Sequence, residues 1–289
     1  MIGFLLVFAT ACSEALKDSL SKGNLAYVDE YASAFSMHLV ISVVLAPIVL
    51  FYTGIEAMTG TFLMALLIST ILQLIVILLY LKALKISQLS TVIPLIALTP
   101  LFMLITSPFI LGEFPNLSGL AGIVLIVAGT YVLNIGDNRG NIWAPFTFLI
   151  TNKGSRYMLI VAFLWSVTAN IDKVGVEETS PIYWTFAKDL VIMFYLIPIV
   201  WIKSKKPVMQ LKSRSIPLFY VGIFRTVSVL TQMFAIQYIL VAYVIAIKRS
   251  STLLIILHGF LVLKERRNFG LRLAGILTVL AGLVMIAVS

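Results

Sequence analysis

Charge is what this 289-residue chain has least of: Asp, Glu, Lys and Arg together make up 11% of it, with 12 acids against 21 bases. Soluble domains carry about 25% charged residues, so an independently soluble chain is excluded. Cysteine is nearly absent, and Cys12 alone can form neither an internal disulfide nor a multi-thiolate metal site. The two histidines, His38 and His258, lie far apart, and no cluster of histidines or acids stands at metal-ligand spacing. His-Glu-x-x-His, Gly-x-Ser-x-Gly and Gly-x-x-x-x-Gly-Lys-Ser/Thr are all missing, which argues against metallohydrolase, serine-hydrolase and ATP-driven chemistry. The chain is therefore read as a non-enzyme that needs no cofactor and no metal.

Apolar residues fill the space that charge leaves, at 61% of the chain with a mean hydropathy of +1.07. Long apolar runs punctuated by charge, Gly and Pro predict spans near 2–21, 32–53, 59–82, 86–111, 117–136, 156–177, 181–202, 216–239, 241–263 and 270–288. Each has roughly the 20 residues that cross ~30 Å of hydrocarbon at 1.5 Å per residue. An all-α integral membrane protein with ten transmembrane helices follows, with the lipid bilayer as its solvent. Residues Met1 to Cys12 lack a basic start, and Ala-Thr-Ala precedes Cys12, so they are read as the first span and not as a lipoprotein leader. Trp143, Phe146 and Phe148, between two polar stretches, are expected to anchor at the membrane interface.

The stretch Leu120-Ala-Gly-Ile-Val-Leu-Ile-Val-Ala-Gly129 returns as Leu273-Ala-Gly-Ile-Leu-Thr-Val-Leu-Ala-Gly282, and a glutamate precedes each copy, Glu113 and Glu265. The chain is thus read as a duplication: residues 1–137 form one five-helix repeat, 156–289 the other, and 138–155 connect them. Five spans per repeat is an odd number, so the second copy must insert upside down. Loop charge agrees. Sixteen of the 21 Lys and Arg fall in alternate connections, among them Lys203, Lys205, Lys206, Lys212 and Arg214, whereas the other connections hold only Glu56, Glu113, Glu177 and Glu178. Because basic loops stay cytoplasmic, both termini are expected to face away from the cytoplasm.

These features resemble the drug/metabolite transporter superfamily, specifically its ten-helix members built from two EamA-type repeats. The resemblance rests on Gly112-Glu113 and Lys264-Glu265 at matching span ends, the Gly-rich helices that follow them, Trp165-Ser166 in the sixth span and Ala83-Leu84 before the fourth. It implies a central cavity between the repeats, lined mainly by spans one, three, four, six, eight and nine, with five and ten as packing helices. Relatives are commonly described with cytoplasmic termini, and the loop charges here depart from that. The small residues Gly119, Gly122, Gly129, Gly275 and Gly282 are read as helix-packing positions.

An ionisable group within a span costs about 2.5–3.5 kcal/mol on insertion scales, so each one marks a candidate site. Lys248 and Arg249 lie about eight residues into the ninth span and are the leading candidates for substrate contact; the phosphate-translocator branch of the superfamily is similar in carrying a Lys-Arg pair on its ninth helix that binds anionic substrate. Arg225 on the eighth span is a third candidate cation, suited to bidentate contact with phosphate or carboxylate. Glu14, which shares a helix face with Lys17 and Asp18, is either a titrating coupling carboxylate or a structural ion-pair member. Tyr243, Tyr80 and Gln73 could supply neutral donors. Lys188 and Asp189 read as structural or lateral-gate groups, and His38 and His258 as packing histidines. Pro94 and Pro100 are expected to bend the fourth span as a gate. Their counterparts are Ala246 and Thr252, so the bend is expected on one side only.

The sequence thus predicts a secondary active transporter in the plasma (inner) membrane. It would move a small anionic metabolite, bearing carboxylate or phosphate, by alternating access, driven by exchange or by a coupling ion. The alternative is a flippase or exporter for a lipid-linked or amino-acid-like substrate. The expected partners are a small-molecule substrate and lipid, with no nucleic acid, in a monomer or homodimer.

Overall fold

The computed structural model describes residues 1–24, 27–87, 89–135, 152–254 and 269–289. Among these all the regular secondary structure is helical. The helices are α1 (Ile2–Asn24), α2 (Glu30–Ile48, continued by a wider turn over Val49–Thr53), α3 (Gly60–Ile86), α4 (Leu89–Ile96), α5 (Thr99–Leu111) and α6 (Leu117–Ile135). They are followed by α7 (Lys153–Glu178), α8 (Pro181–Lys203), α9 (Pro207–Ser213), α10 (Ser215–Ala235), α11 (Val241–Arg249) and α12 (Phe269–Ala287). Trp143, Phe146, Phe148, His258 and Lys264-Glu265 lie outside the described residues.

Local chemistry sets the helix ends. Asp29 caps α2, its carboxylate accepting from the backbone N–H of Tyr31 and Ala32 at 3.1 and 2.9 Å. Ser180 caps α8 ahead of Pro181, which has no N–H to lose at the first turn. Gly112 closes α5 in the left-handed conformation, φ 69° and ψ 12°, where a side chain would clash.

Six stretches of the described residues are long and apolar enough to cross a membrane: Glu30–Thr53, Gly60–Ile86, Val92–Leu111, Lys153–Glu178, Pro181–Lys203 and Ser215–Ala235. The shorter helical stretches Leu117–Leu133 and Leu273–Ala287 are also apolar. Two of the ten expected spans differ for physical reasons. Helix α1 forms over its expected length but carries Glu14, Lys17 and Asp18. The expected ninth span opens as the nine-residue α11, interrupted at Ser250 before residues 251–254 resume the helix.

That interruption corrects one expectation. The fourth span breaks at Ala97–Leu98, where Ala97 N–H bonds Pro94 O and Leu98 N–H bonds Leu95 O in tightened turns, and Pro100 sits in the first turn of α5. About 152 residues later α11 ends at Arg249, and Ser250 N–H bonds Ile247 O at 3.0 Å. A break therefore exists in both repeats. Proline is dispensable for it because Ser250 Oγ also bonds Ile247 O, at 2.6 Å, offering the carbonyl a non-helical partner.

The helices assemble into two compact units that interleave along the sequence. Unit 1 comprises Met1–Leu74 and Ile171–Tyr238, and unit 2 comprises Ile75–Asn170 and Ile239–Ser289. Each unit takes chain from both halves of the sequence. In unit 1, α1 packs along α10, and α2 packs on α8 and α10. In unit 2, α6 packs along α12, and α11 lies on α5 and α6. A core of Val76, Ala83, Val92, Leu95, Met158 and Val161 joins α3, α4 and α7 there.

The α6–α12 contact is backbone against backbone. A Cβ on Gly122 would stand 2.8 Å from Gly282 O, and one on Gly129 would stand 2.8 Å from Gly275 O. Helices without side chains at these points gain close van der Waals contact, which is the main attraction between helices in lipid. Gly129→Leu is expected to lower thermal stability by roughly 1–3 kcal/mol or more through overpacking, read by a fluorescence-monitored melt of the purified protein. Gly23→Ala, with open space around its added methyl, should leave that melt near wild type.

Candidate functional site

Unit 1 concentrates charge on the faces its helices turn toward one another. On α1, Lys17 Nζ lies 2.6 Å from Glu14 and 2.9 Å from Asp18, and Ser228 of α10 donates to the other Glu14 oxygen at 2.7 Å. One turn away Thr10 meets Thr231 at 2.8 Å. Helices α1 and α10 are thus joined by a polar seam whose carboxylate is already engaged. Glu14 occupies the ion-pair position that its spacing from Lys17 allows.

A second cluster joins α3, α7 and α8. Lys188 Nζ grips both oxygens of Asp172 at 2.6 and 2.7 Å, Ser69 donates to Asp172 at 2.8 Å, and Trp184 Nε1 donates to it at 3.3 Å. All four residues are buried. The indole lies flat enough on α7 that a Cβ at Gly175 would meet it at 2.1 Å, and Phe62 of α3 closes its edge at 5.7 Å.

A third pair joins α2 to α8, with His38 Nδ1 2.5 Å from Asp189 Oδ1 and both side chains about 5% exposed. Lys188 and Asp189 are neighbours in sequence yet serve different partners, because successive side chains leave a helix about 100° apart. Neither His38 nor Asp189 was singled out from the sequence as a site residue. The available signal was polarity within a span, and only the third dimension pairs them.

Arg225 on α10 completes unit 1. It stands within electrostatic range of Lys17 and of His38. Its Nε is buried and has no hydrogen-bond partner among the described residues, and no carboxylate there forms an ion pair with its guanidinium. Gln73 on α3 is half-buried.

Unit 2 holds the other candidates. The Arg249 guanidinium lies 5.0 Å from the centre of the Trp165 ring, and its Nη2 reaches Thr99 Oγ1 at 3.4 Å. The Tyr80 ring packs 5.7 Å from the same indole. Trp165 therefore links Tyr80 and Arg249, a grouping the sequence left as separate residues. Lys248 precedes Arg249 in the last turn of α11 and is half-buried. Tyr243 is buried against α6, its hydroxyl where a Cβ of Gly119 would be. Pro94 and Pro100 flank the break between α4 and α5. Glu113 accepts from the backbone N–H of Val241 at 3.2 Å, so the Gly112-Glu113 pair ends one helix and caps the start of α11. Asn170 is held by Thr106, Ser107 and the Ser166 carbonyl at 2.8–2.9 Å.

The buried Asp172–Lys188 pair gives a direct test. Asp172→Ala and Lys188→Ala should each lower stability by about 3–5 kcal/mol, because each strands a buried charge. The double variant Asp172→Leu/Lys188→Met should recover most of that loss. Thermal melts of the four proteins in one detergent measure it.

The comparisons with known proteins agree with this all-helical membrane architecture. The model of the EamA-like transporter family matches residues 1–135 and 152–288, in two copies that cover nearly the whole chain. A solved crystal structure of a protein with 15% sequence identity superposes with a TM-score of 0.65, covering 99% of this chain and 97% of that one. At that identity the likeness concerns the fold. No curated protein matches the sequence. The repeated family match over both halves of an apolar, multi-helix chain identifies it as an integral membrane protein that belongs to the EamA-like transporter family.

Proposed function

We propose that this membrane transporter carries a small anionic metabolite, one bearing carboxylate or phosphate, by alternating access of two five-helix repeats inserted in opposite senses. The observation that carries the reading is Arg225. Among the described residues of unit 1 the buried carboxylates are engaged, Glu14 by Lys17, Asp172 by Lys188 and Asp189 by His38, while Arg225 has a buried Nε with no hydrogen-bond partner and no ion pair. An intramembrane guanidinium with no carboxylate in direct contact is costly, and a planar bidentate donor fits an incoming carboxylate or phosphate. In unit 2, Arg249 is held in place by Trp165 and Thr99, which pre-orients a second guanidinium, with Lys248 beside it. The helix breaks at Ala97–Leu98 and Arg249–Ser250 supply hinges at matching positions, Pro94 and Pro100 shaping the first. Loop charge supports termini that face away from the cytoplasm.

Counterflow in proteoliposomes with a panel of dicarboxylates, phosphate esters, amino acids and organic cations tests this. Anion exchange should fall at least about tenfold in Arg225→Ala and in Arg249→Ala, the loss expected when a charge-assisted contact is removed. Transport of cations that survives both substitutions would refute the anion reading.

A further inference from the structure

The charges of unit 1 can be balanced residue by residue. Glu14 cancels Lys17, and Asp172 cancels Lys188. Asp18 is half-exposed, and Lys173 is matched by Glu177 at 3.9 Å on its own helix. What remains in the interior is one anion, Asp189, one cation, Arg225, and one group that can change its charge, His38, hydrogen-bonded to the first and within electrostatic range of the second. With His38 neutral the three sum to zero. From the helices packed against α2, the charged groups facing His38 are Asp189 and Lys188 of α8 and Arg225 of α10.

We infer that unit 1 binds one proton together with each singly charged anion, Arg225 receiving the anion and the His38–Asp189 pair receiving the proton, so that the transported complex is electroneutral. The inference rests on the anion reading above. A monoanion on Arg225 leaves the Asp189 carboxylate uncompensated in a low-dielectric interior, and a proton on His38 restores the balance. In the neutral pair Nδ1–H donates to Asp189, so Nε2 is the nitrogen left to accept the proton. The coupling is reciprocal: an anion that favours protonation is itself bound more tightly when the pair is protonated. Moving anion and proton together also removes the work of carrying net charge against a membrane potential.

Nitrogen-15 NMR of the full chain in nanodiscs tests this without knowledge of the natural substrate. A His258→Asn background leaves His38 as the one imidazole, and its nitrogen shifts report the ratio of protonated to neutral ring at a fixed pH. Adding formate, acetate or lactate to the Arg225-containing protein should raise that ratio about tenfold, the size expected for one nearby charge. Arg225→Gln should raise it similarly with no anion added and abolish the anion response, whereas Arg225→Lys should stay near the parent. If the anions perturb the Arg225 guanidinium nitrogens but leave His38 unchanged, the coupling is overturned and the anion site stands. If Arg225→Gln shifts His38 while no anion of the panel does, anion binding at Arg225 fails and the inference falls with it. A His38 ring that stays neutral from pH 5 to 9 in every sample also overturns it.

Discussion

A charge inside a bilayer must find an opposite charge, water or a ligand, and this constraint organises the whole molecule. The chain spends few charges, and those within unit 1 fall on helix faces where they meet. Lys17 joins the acids on its own helix, Lys188 reaches from α8 to Asp172 on α7, and His38 reaches from α2 to Asp189 on α8. Each of these bonds also fixes one helix against another or fixes a side chain on its own helix. Apolar side chains in lipid discriminate weakly between partners, because the tails outside are as apolar as the core. Register in unit 1 is therefore carried by polar contacts, with Thr10–Thr231 and Glu14–Ser228 setting α1 against α10.

Unit 2 solves the same problem with small residues and neutral polar groups. Gly122 and Gly129 meet Gly282 and Gly275, and Asn170 is surrounded by hydroxyls and a carbonyl. One of its described cations seated on an aromatic ring, Arg249, stands where α11 stops. The carbonyls at the end of α11 carry the negative end of the helix dipole, so a cation at that point is stabilised before any solute arrives. The end of a broken helix thus adds its own stabilisation to a positive group already seated on Trp165 and Thr99.

Much of this was legible in the amino-acid order. The apolar runs located the helix ends to within a few residues: 117–136 became Leu117–Ile135, 181–202 became Pro181–Lys203, and 270–288 became Phe269–Ala287. The glycine spacing of the repeat anticipated the close approach of α6 and α12. Pairing between distant spans was not legible, because polarity shows that a residue needs a partner without showing which one. His38 read as a packing histidine, and Lys188 and Asp189 read as structural or lateral-gate groups with no partner named, yet each has its partner on another helix. The break after Arg249 was missed for a related reason. Proline is a visible helix breaker, while a serine that bonds back to its own helix carries no comparable mark in sequence.

The interleaving of the two units has a consequence for biosynthesis. Helix α6 leaves the ribosome about 130 residues before α12, the helix whose backbone its glycines touch. Throughout that interval the Gly122–Gly129 face has no permanent neighbour and must be shielded by lipid tails or by the insertion machinery. Unit 2 can close only when the late helix arrives, so its folding is post-insertional and its contact order high. A lesion in α12 would leave the earlier helices correctly threaded through the bilayer yet unassembled, the kind of species that membrane quality control recognises.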